Sequence, residues 1–167
     1  MARQLWLLRH GEAESHDARP DLHRRLTARG ERQSHAAGEA LARLGLEFDT
    51  VFTSPRVRAL DTARLVCVAL GLEPVVHEPL SGGFQARDAV ALTEKAKGPT
   101  LLVGHEPDLS QIVADLTGGR IDLKKGGLAG LGVEGGSAAL LVLLRPREVE
   151  SLAEVGRPDG ALPAPAE

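Results

Sequence analysis

The 167-residue chain has one cysteine, no tyrosine and no long apolar run. The single cysteine, Cys67, excludes an internal disulfide and a zinc site built from several thiolates. No run reaches the roughly 18 apolar residues that a membrane span needs. We also find no export signal near Met1, so we expect a cytoplasmic protein without a membrane partner. The length and the hydrophobic content of 43% are typical of one globular domain with a buried core.

Aromatic residues make up only 2% of the chain, and the net charge is −3. Nucleic-acid-binding proteins commonly present a basic surface, and those that bind single strands stack bases on aromatic side chains. The composition therefore argues against a nucleic-acid partner. It carries no signal for the oligomeric state.

Short apolar runs alternate with helical patterns along most of the chain. Strands are predicted at residues 5–8, 50–53, 74–77 and 99–103, followed by a hairpin over 129–144. Helices are predicted at 27–44, from Ser54-Pro55 to Gly71, at 86–96, and at 108–118 with a capping box that begins at Asp108. This alternation predicts a three-layer α/β/α domain with a mainly parallel central sheet over residues 1–155. The proline-rich residues 156–167 are expected to form a disordered tail.

Three of the predicted strands end in side chains that suit an anionic ligand. The first runs into Arg9-His10-Gly11, the second into a segment that contains Arg58, and the fourth into His105. Ligands of open α/β sheets bind beyond the carboxyl ends of the strands, so we expect these residues to meet. Arginine binds phosphate oxygens through its planar fork, and neutral imidazole is a competent nucleophile. Each residue alone is more simply a solvated or capping side chain, but the ordered combination favours a phosphate site.

Four segments, in this order, resemble the histidine phosphatase superfamily, which includes phosphoglycerate mutases and many phosphatases. They are Leu7-Leu8-Arg9-His10-Gly11-Glu12, residues 26–30, residues 54–63 and Gly104-His105-Glu106-Pro107. The short chain and the Gly-His-Glu-Pro segment are most similar to the SixA-type phosphohistidine phosphatases of bacteria. The resemblance covers about residues 5–116 and implies a phosphoglycerate mutase-like fold.

The resemblance also implies a role for each matching residue. His10 would be the nucleophile, Arg9 and Arg58 would hold the phosphoryl oxygens, and His105 would donate a further hydrogen bond. Gly11 would leave room for the backbone beside the phosphate. These groups supply the positive charge themselves, so we expect neither a metal ion nor a cofactor.

The proton donor has two candidates. Mutase-like members carry a glutamate after the third strand, near Glu78, whereas acid-phosphatase-like members carry an acid directly after the second histidine, where Glu106 lies. Glu78 is alternatively a solvated carboxylate, and Glu106 alternatively stabilises the adjacent helix N-terminus. A phosphohistidine substrate depends less on a proton donor from the protein, because its leaving imidazole can be protonated before the bond breaks.

The single cysteine and a cluster of basic residues are not assigned to the phosphate site. Cys67 lies between two valines of a helix, which favours core packing. The basic cluster of Arg19, His23, Arg24 and Arg25 is interpreted as a solvated loop, with the guidance of an acidic partner as the alternative.

The sequence thus predicts a metal-independent phosphatase that forms a phosphohistidine intermediate. Its expected partner is a phosphorylated protein, with phosphohistidine as the leading substrate, because the short stretch between Leu80 and Leu101 leaves little room for a lid. The alternative is a phosphomonoesterase that acts on a small phosphorylated metabolite. A non-enzymatic phosphate-binding module would predict loss of one of the four catalytic candidates, and all are present.

Overall fold

The computed structural model describes residues 2–155, so the predicted tail lies outside the described residues and the domain boundary stays a prediction. Six strands are present: β1 (Arg3–Arg9), β2 (Thr50–Thr53), β3 (Val75–Val76), β4 (Thr100–Gly104), β5 (Leu128–Glu134) and β6 (Ser137–Leu144). They form one sheet in the order β3-β2-β4-β1-β5-β6. The first four of these are parallel, whereas β5 runs antiparallel to β1 and forms a hairpin with β6. The predicted mainly parallel sheet is confirmed.

Five helices cover the two faces of the sheet: α1 (Ala28–Arg43), α2 (Val57–Leu70), α3 (Ala86–Lys95), α4 (Asp108–Thr117) and α5 (Pro146–Glu154). Neighbouring side chains of β1 point to opposite faces. Leu8 packs in an apolar cluster with residues of α1, α2 and α5, and Leu7 in a second cluster with residues of α3 and α4. Because both faces of the central strands are buried, these strands are continuous apolar runs. The three-layer α/β/α fold is confirmed.

The structure corrects two predicted helix caps, although α4 begins at Asp108 as predicted. Helix α2 begins at Val57 with Arg56 at its N-cap, because the Ser54 backbone N–H is still bonded to the strand residue Val103. Helix α4 follows Pro107, and the Asp108 carboxylate accepts a bond from the Phe84 backbone instead of forming a capping box. Both side chains are used by tertiary contacts that a local pattern does not contain.

Helix α5 was missed by the sequence analysis, although Pro146 in its first turn is a favourable helix start. Its buried face, Val149 and Ala153, packs on the α1 side of the sheet, where Arg43 Nε donates to the Ala153 carbonyl at 3.1 Å. Cys67 is buried in the same apolar cluster, as predicted, and burial together with the charge of Glu73 raises the pKa of its thiol to about 11. None of the helices in residues 2–155 has the length and apolar character needed to cross a bilayer.

Candidate active site

The two candidate histidines meet at the carboxyl ends of β1 and β4. Arg9 of β1 pairs with Gly104 of β4, and each of these residues is followed directly by a histidine. The rings of His10 and His105 therefore lie side by side, with centroids 5.2 Å apart and planes tilted by 53°. The two residues are only 5% and 9% exposed, respectively.

The His10 ring has a defined tautomer. Its Nδ1 atom lies 2.7 Å from the Gly11 carbonyl oxygen, which can only accept a hydrogen bond. Nδ1 therefore carries the proton, and Nε2 presents a lone pair. Burial is the main cause that lowers the pKa of His10 to about 3, and the charges of Arg58 and Arg9 act in the same direction. The ring is neutral at physiological pH, as a nucleophile must be.

Arg58, in the first turn of α2, lies against that lone pair. Its Nε atom is 3.4 Å from His10 Nε2, its Nη1 donates to the Asp21 carbonyl at 2.7 Å, and its Nη2 lies 3.4 Å from the Asp21 carboxylate. Burial lowers the pKa of the guanidinium, and the Asp21 carboxylate opposes that shift. The Arg58 guanidinium thus lies beside the His10 ring and is tied to the Asp21 residue.

Arg9 and His105 supply two buried nitrogen atoms without a partner in the described part of the chain. Arg9 donates through Nη1 to the Leu123 carbonyl at 3.2 Å, but its Nε makes no bond. His105 Nε2 lies 2.7 Å from the Ser54 hydroxyl, which also accepts from the Arg56 backbone at 3.2 Å, whereas His105 Nδ1 is unpartnered. Burial, followed by the charges of Arg58 and Arg56, lowers the pKa of His105 to about 3.

Buried polar atoms usually have a hydrogen-bond partner, so these two nitrogens are available to bind the polar atoms of a ligand. A tetrahedral oxyanion beside His10 Nε2 offers acceptors to Arg9 and Arg58 at once. Among residues 2–155, no group of three or more histidine, cysteine or acidic side chains could hold a metal ion.

The structure gives a reason for glycine at position 11 that does not involve the phosphate: a close approach to Gly30. A Cβ atom on Gly11 would lie 2.5 Å from the carbonyl oxygen of Gly30 in the first turn of α1, and a Cβ on Gly30 would collide with the Glu12 carbonyl. The two glycines therefore allow the backbone after His10 to cross the start of α1. The Gly11 N–H donates to Thr62 Oγ1 at 3.1 Å, which ties this crossing to α2.

Neither predicted proton donor is bonded to a histidine or to Arg58 in the described structure. Glu106 Oε1 accepts from the Ser110 backbone N–H at 3.0 Å, so its carboxylate stabilises the first turn of α4. Glu78 begins a 3-10 turn, Glu78–Ser81, and is exposed. In this structure both residues fit the structural alternatives that the sequence had left open.

The sequence analysis missed Asp21, which lies in a 3-10 turn, Asp21–His23, between β1 and α1. Its carboxylate bonds Arg56 and lies 3.4 Å from Arg58 Nη2, and it accepts from Arg24 Nε at 3.0 Å. Arg24 was interpreted as part of a solvated loop, but it is buried and also donates to the Glu14 carbonyl at 2.7 Å. An acidic residue within a basic cluster was the available signal.

Comparison with known proteins agrees with this geometry. Residues 5–82 match the sequence profile of the histidine phosphatase superfamily, branch 1. An uncharacterized protein of Picosynechococcus sp. is 35% identical in an alignment of 138 residues that covers 77% of this chain and 84% of that protein. The mitochondrial serine/threonine-protein phosphatase Pgam5 of Drosophila melanogaster is 32% identical over 122 residues, which are 72% of this chain but only 38% of Pgam5.

A solved structure of the protein histidine phosphatase SixA, complexed with tungstate, superimposes on 87% of this chain and 99% of SixA. The TM-score is 0.77 at 24% sequence identity, so this comparison shows a shared fold. The predicted superfamily and the predicted likeness to SixA are both confirmed. On this sequence match, fold and family, the chain belongs to the histidine phosphatase superfamily and is an enzyme of the phosphatase or mutase type.

Proposed function

We propose that the protein is a metal-independent phosphohistidine phosphatase in which His10 Nε2 is the nucleophile. The observation that carries the proposal is the bond from His10 Nδ1 to the Gly11 carbonyl, which leaves Nε2 unprotonated beside Arg58. A preformed nucleophile of this kind needs no separate base to activate it.

In the first step the His10 Nε2 lone pair forms a bond to phosphorus while the bond to the leaving group breaks. The leaving atom keeps that electron pair and must already carry, or receive, a proton. His10 becomes a phosphorylated imidazolium, and the Gly11 carbonyl accepts the hydrogen bond from its Nδ1–H throughout. In the second step water attacks phosphorus, the electron pair returns to Nε2, and phosphate leaves with the protons of the water.

The charge that develops on the phosphoryl oxygens is met by Arg58 and Arg9 and by the His105 ring. Preorganised donors in a buried site are each worth about 3 to 4 kcal/mol in a transition state. His105 can donate through Nδ1 when the Ser54 hydroxyl donates to its Nε2. Two arginines and this donor supply the positive field that a metal ion would otherwise supply.

The proposed substrate class is supported by the positions of the two candidate proton donors, Glu78 and Glu106. Glu106 is hydrogen-bonded to the α4 backbone, and Glu78 is exposed on its turn. Neither carboxyl group is therefore held in a position to protonate the leaving oxygen of an alkyl ester. A phosphohistidine brings a ring nitrogen that takes up a proton near neutral pH, so its imidazole leaves without a protein acid. SixA and Pgam5 are both named as phosphatases of protein side chains, which supports a phosphorylated protein as partner.

A phosphoenzyme trap tests this proposal. The protein is mixed with a phosphohistidine peptide that carries labelled phosphate and is quenched in alkali within one turnover. We expect an acid-labile, base-stable label on the protein that is absent from His10→Ala and retained in His23→Ala, an exposed histidine of the β1–α1 loop. Label on the His10→Ala protein contradicts the nucleophile.

Two further measurements separate the alternatives. Excess chelator should leave turnover unchanged, and a loss restored by a divalent ion contradicts metal independence. Rapid cleavage of an alkyl phosphate, with the phosphohistidine peptide left intact, identifies a small-molecule phosphomonoesterase instead.

A further inference from the structure

The Asp21 carboxylate contacts the arginine that faces the nucleophile. Among the described acidic side chains it is the one bonded to Arg58, through an oxygen 3.4 Å from Arg58 Nη2. The charged and titratable groups that face it are Arg24, Arg56 and Arg58, with His16 at 4.0 Å and the His105 ring within range of its charge. No role in the proposed reaction has yet been given to this carboxylate.

Asp21 is ionised at neutral pH. Burial alone would raise the pKa of its carboxyl, but the hydrogen bond from Arg24 and the charges of Arg58 and Arg56 hold that pKa below its usual value. A carboxylate of this kind is a poor proton donor for an ester leaving group. It is a good acceptor for a cationic N–H group.

The Asp21 side chain is more exposed than the arginine that it contacts, as a group that meets a departing ring must be. In an in-line displacement the leaving atom lies opposite the attacking His10 Nε2, away from the buried floor and towards the opening. The Asp21 side chain is 42% exposed, whereas that of Arg58 is only 6% exposed. The carboxylate therefore lies on the solvent side of the arginine clamp.

We propose that the Asp21 carboxylate accepts a hydrogen bond from the protonated imidazole of the phosphohistidine substrate and so selects phosphoramidates over phosphate monoesters. The inference rests on the proposed function and names the group that recognises its substrate. In the substrate ring one nitrogen is bonded to phosphorus, and the other is an N–H group. This N–H group donates the hydrogen bond to the Asp21 carboxylate. An ester leaving group has no such N–H to offer, and its own negative charge is repelled by the carboxylate.

The atoms balance in this step. The bond from phosphorus to the substrate nitrogen breaks, and its electron pair stays on that nitrogen. The cationic substrate ring thus leaves as neutral imidazole with the proton still on its other nitrogen. His10 Nε2 takes the phosphoryl group, and the positive charge passes from the substrate ring to the His10 ring.

The test compares Asp21→Asn with wild type on free phosphohistidine and on p-nitrophenyl phosphate. Asparagine keeps the backbone carbonyl that holds Arg58 and an oxygen that can accept from it, but removes the charge. We expect kcat/KM for phosphohistidine to fall by about tenfold, the lower range for the loss of a hydrogen bond to a charged group, with p-nitrophenyl phosphate unchanged or faster. The alkaline limb of the kcat profile for phosphohistidine, which reports the bound substrate, should move down by about one pH unit, because the bound ring loses its proton more readily without the carboxylate.

Two matched variants serve as controls. Asp17→Asn removes an exposed carboxylate of the same loop and should leave both substrates unaffected. His16 Nδ1 lies 4.0 Å from the Asp21 carboxylate, and His16→Gln should keep the wild-type profile if that profile reports the substrate ring. The two histidines of the site have pKa values of about 3 and titrate well below the alkaline limb of that profile.

The outcomes separate the two proposals. Equal losses on both substrates, with an unchanged pH profile, show that Asp21 only positions Arg58 and overturn the inference. A variant that keeps the wild-type rate on phosphohistidine overturns it as well. A wild-type protein that cleaves p-nitrophenyl phosphate but not phosphohistidine overturns the proposed function, and this inference with it.

Discussion

The Ser54 hydroxyl lies 2.7 Å from His105 Nε2, at the point where the strand β2 gives way to the helix α2. The same oxygen accepts from the Arg56 backbone N–H, so the hydroxyl proton is free to be donated to the ring. That donation leaves the proton of neutral His105 on Nδ1, the buried atom without a partner. A serine that local sequence patterns assign to a helix cap thus sets the tautomer of an active-site histidine.

Ser54→Ala should therefore lower kcat/KM by about tenfold or more, since one transition-state donor loses its preferred orientation. The loss should be similar for different phosphorylated substrates, because it concerns the phosphoryl group and not the leaving group. Steady-state kinetics on two substrates checks this. Ser110→Ala, which removes a buried hydroxyl without a partner in α4, is the control and should retain activity. If Ser54→Ala keeps full activity, the tautomer is held by another group.

Arg58 and Arg56 are two residues apart but have different neighbours. Arg58→Ala should reduce kcat/KM by about 100-fold or more, because its guanidinium lies against the nucleophilic nitrogen. Arg56 Nε donates to the Ser81 carbonyl at 2.9 Å, so Arg56→Ala should cost less than about tenfold. Kinetics of the two variants under identical conditions decides the matter, and equal losses would contradict the assignment of Arg58 to the phosphate.

The stability of the protein should depend on the two buried histidines. Their pKa values are about 3 in the folded protein and near 6.5 in an unfolded chain, so the unfolded chain binds more protons at acidic pH. This contribution to stability is fully present above about pH 6.5 and is lost as the pH falls towards 3. Each histidine should lower the free energy of unfolding by about 1 kcal/mol per pH unit near pH 5.

Urea unfolding at pH 7, 6 and 5 measures this dependence. The His10→Gln/His105→Gln double variant should show a clearly flatter decline than wild type. His16→Gln, which removes an exposed histidine, is the control and should show the same decline as wild type. An equal decline in the double variant would show that carboxylates alone cause the acid sensitivity.

The crossing of Gly11 and Gly30 should be intolerant of a methyl group. Gly30→Ala is expected to destabilise the protein by about 2 kcal/mol or more, because the neighbour of the new Cβ is the backbone of Glu12. Gly136→Ala, in the β5–β6 turn, has nothing within 4 Å of its Cβ and should change stability by less than about 0.5 kcal/mol. Thermal unfolding of both variants makes the comparison, and equal shifts would contradict the close crossing.

The sequence predicted the elements whose signals are local. The apolar runs of β1 and β4 are buried on both faces, so they are recognisable as strands of a parallel sheet, and the hairpin β5–β6 has its glycine turn. The N-cap predicted at Ser54 and the capping box predicted at Asp108 were wrong, and both side chains bond to partners distant in the sequence, His105 and the Phe84 backbone. Capping patterns describe only the nearest residues.

The residues of the candidate site also fall into those that a local motif predicts and one that it does not. His10, Arg58 and His105 were placed together because each follows a strand end in a motif with a known order, and the structure brings them within contact. The sequence did not predict Asp21 as a site residue, because it is defined by its contacts with Arg24, Arg56 and Arg58. The last two of these lie more than thirty residues away in the chain. No spacing along the chain encodes that neighbourhood.

The pairing of Arg9 with Gly104 has a consequence for folding. The two active-site histidines directly follow these residues, yet α1, β2, α2, β3 and α3 lie between them in the chain. An intermediate that has formed its helices but not the β1–β4 ladder keeps the histidines apart, and such long-range pairings form slowly. Recovery of turnover during refolding therefore reports when the centre of the sheet has closed, a step that a helix-sensitive signal does not detect.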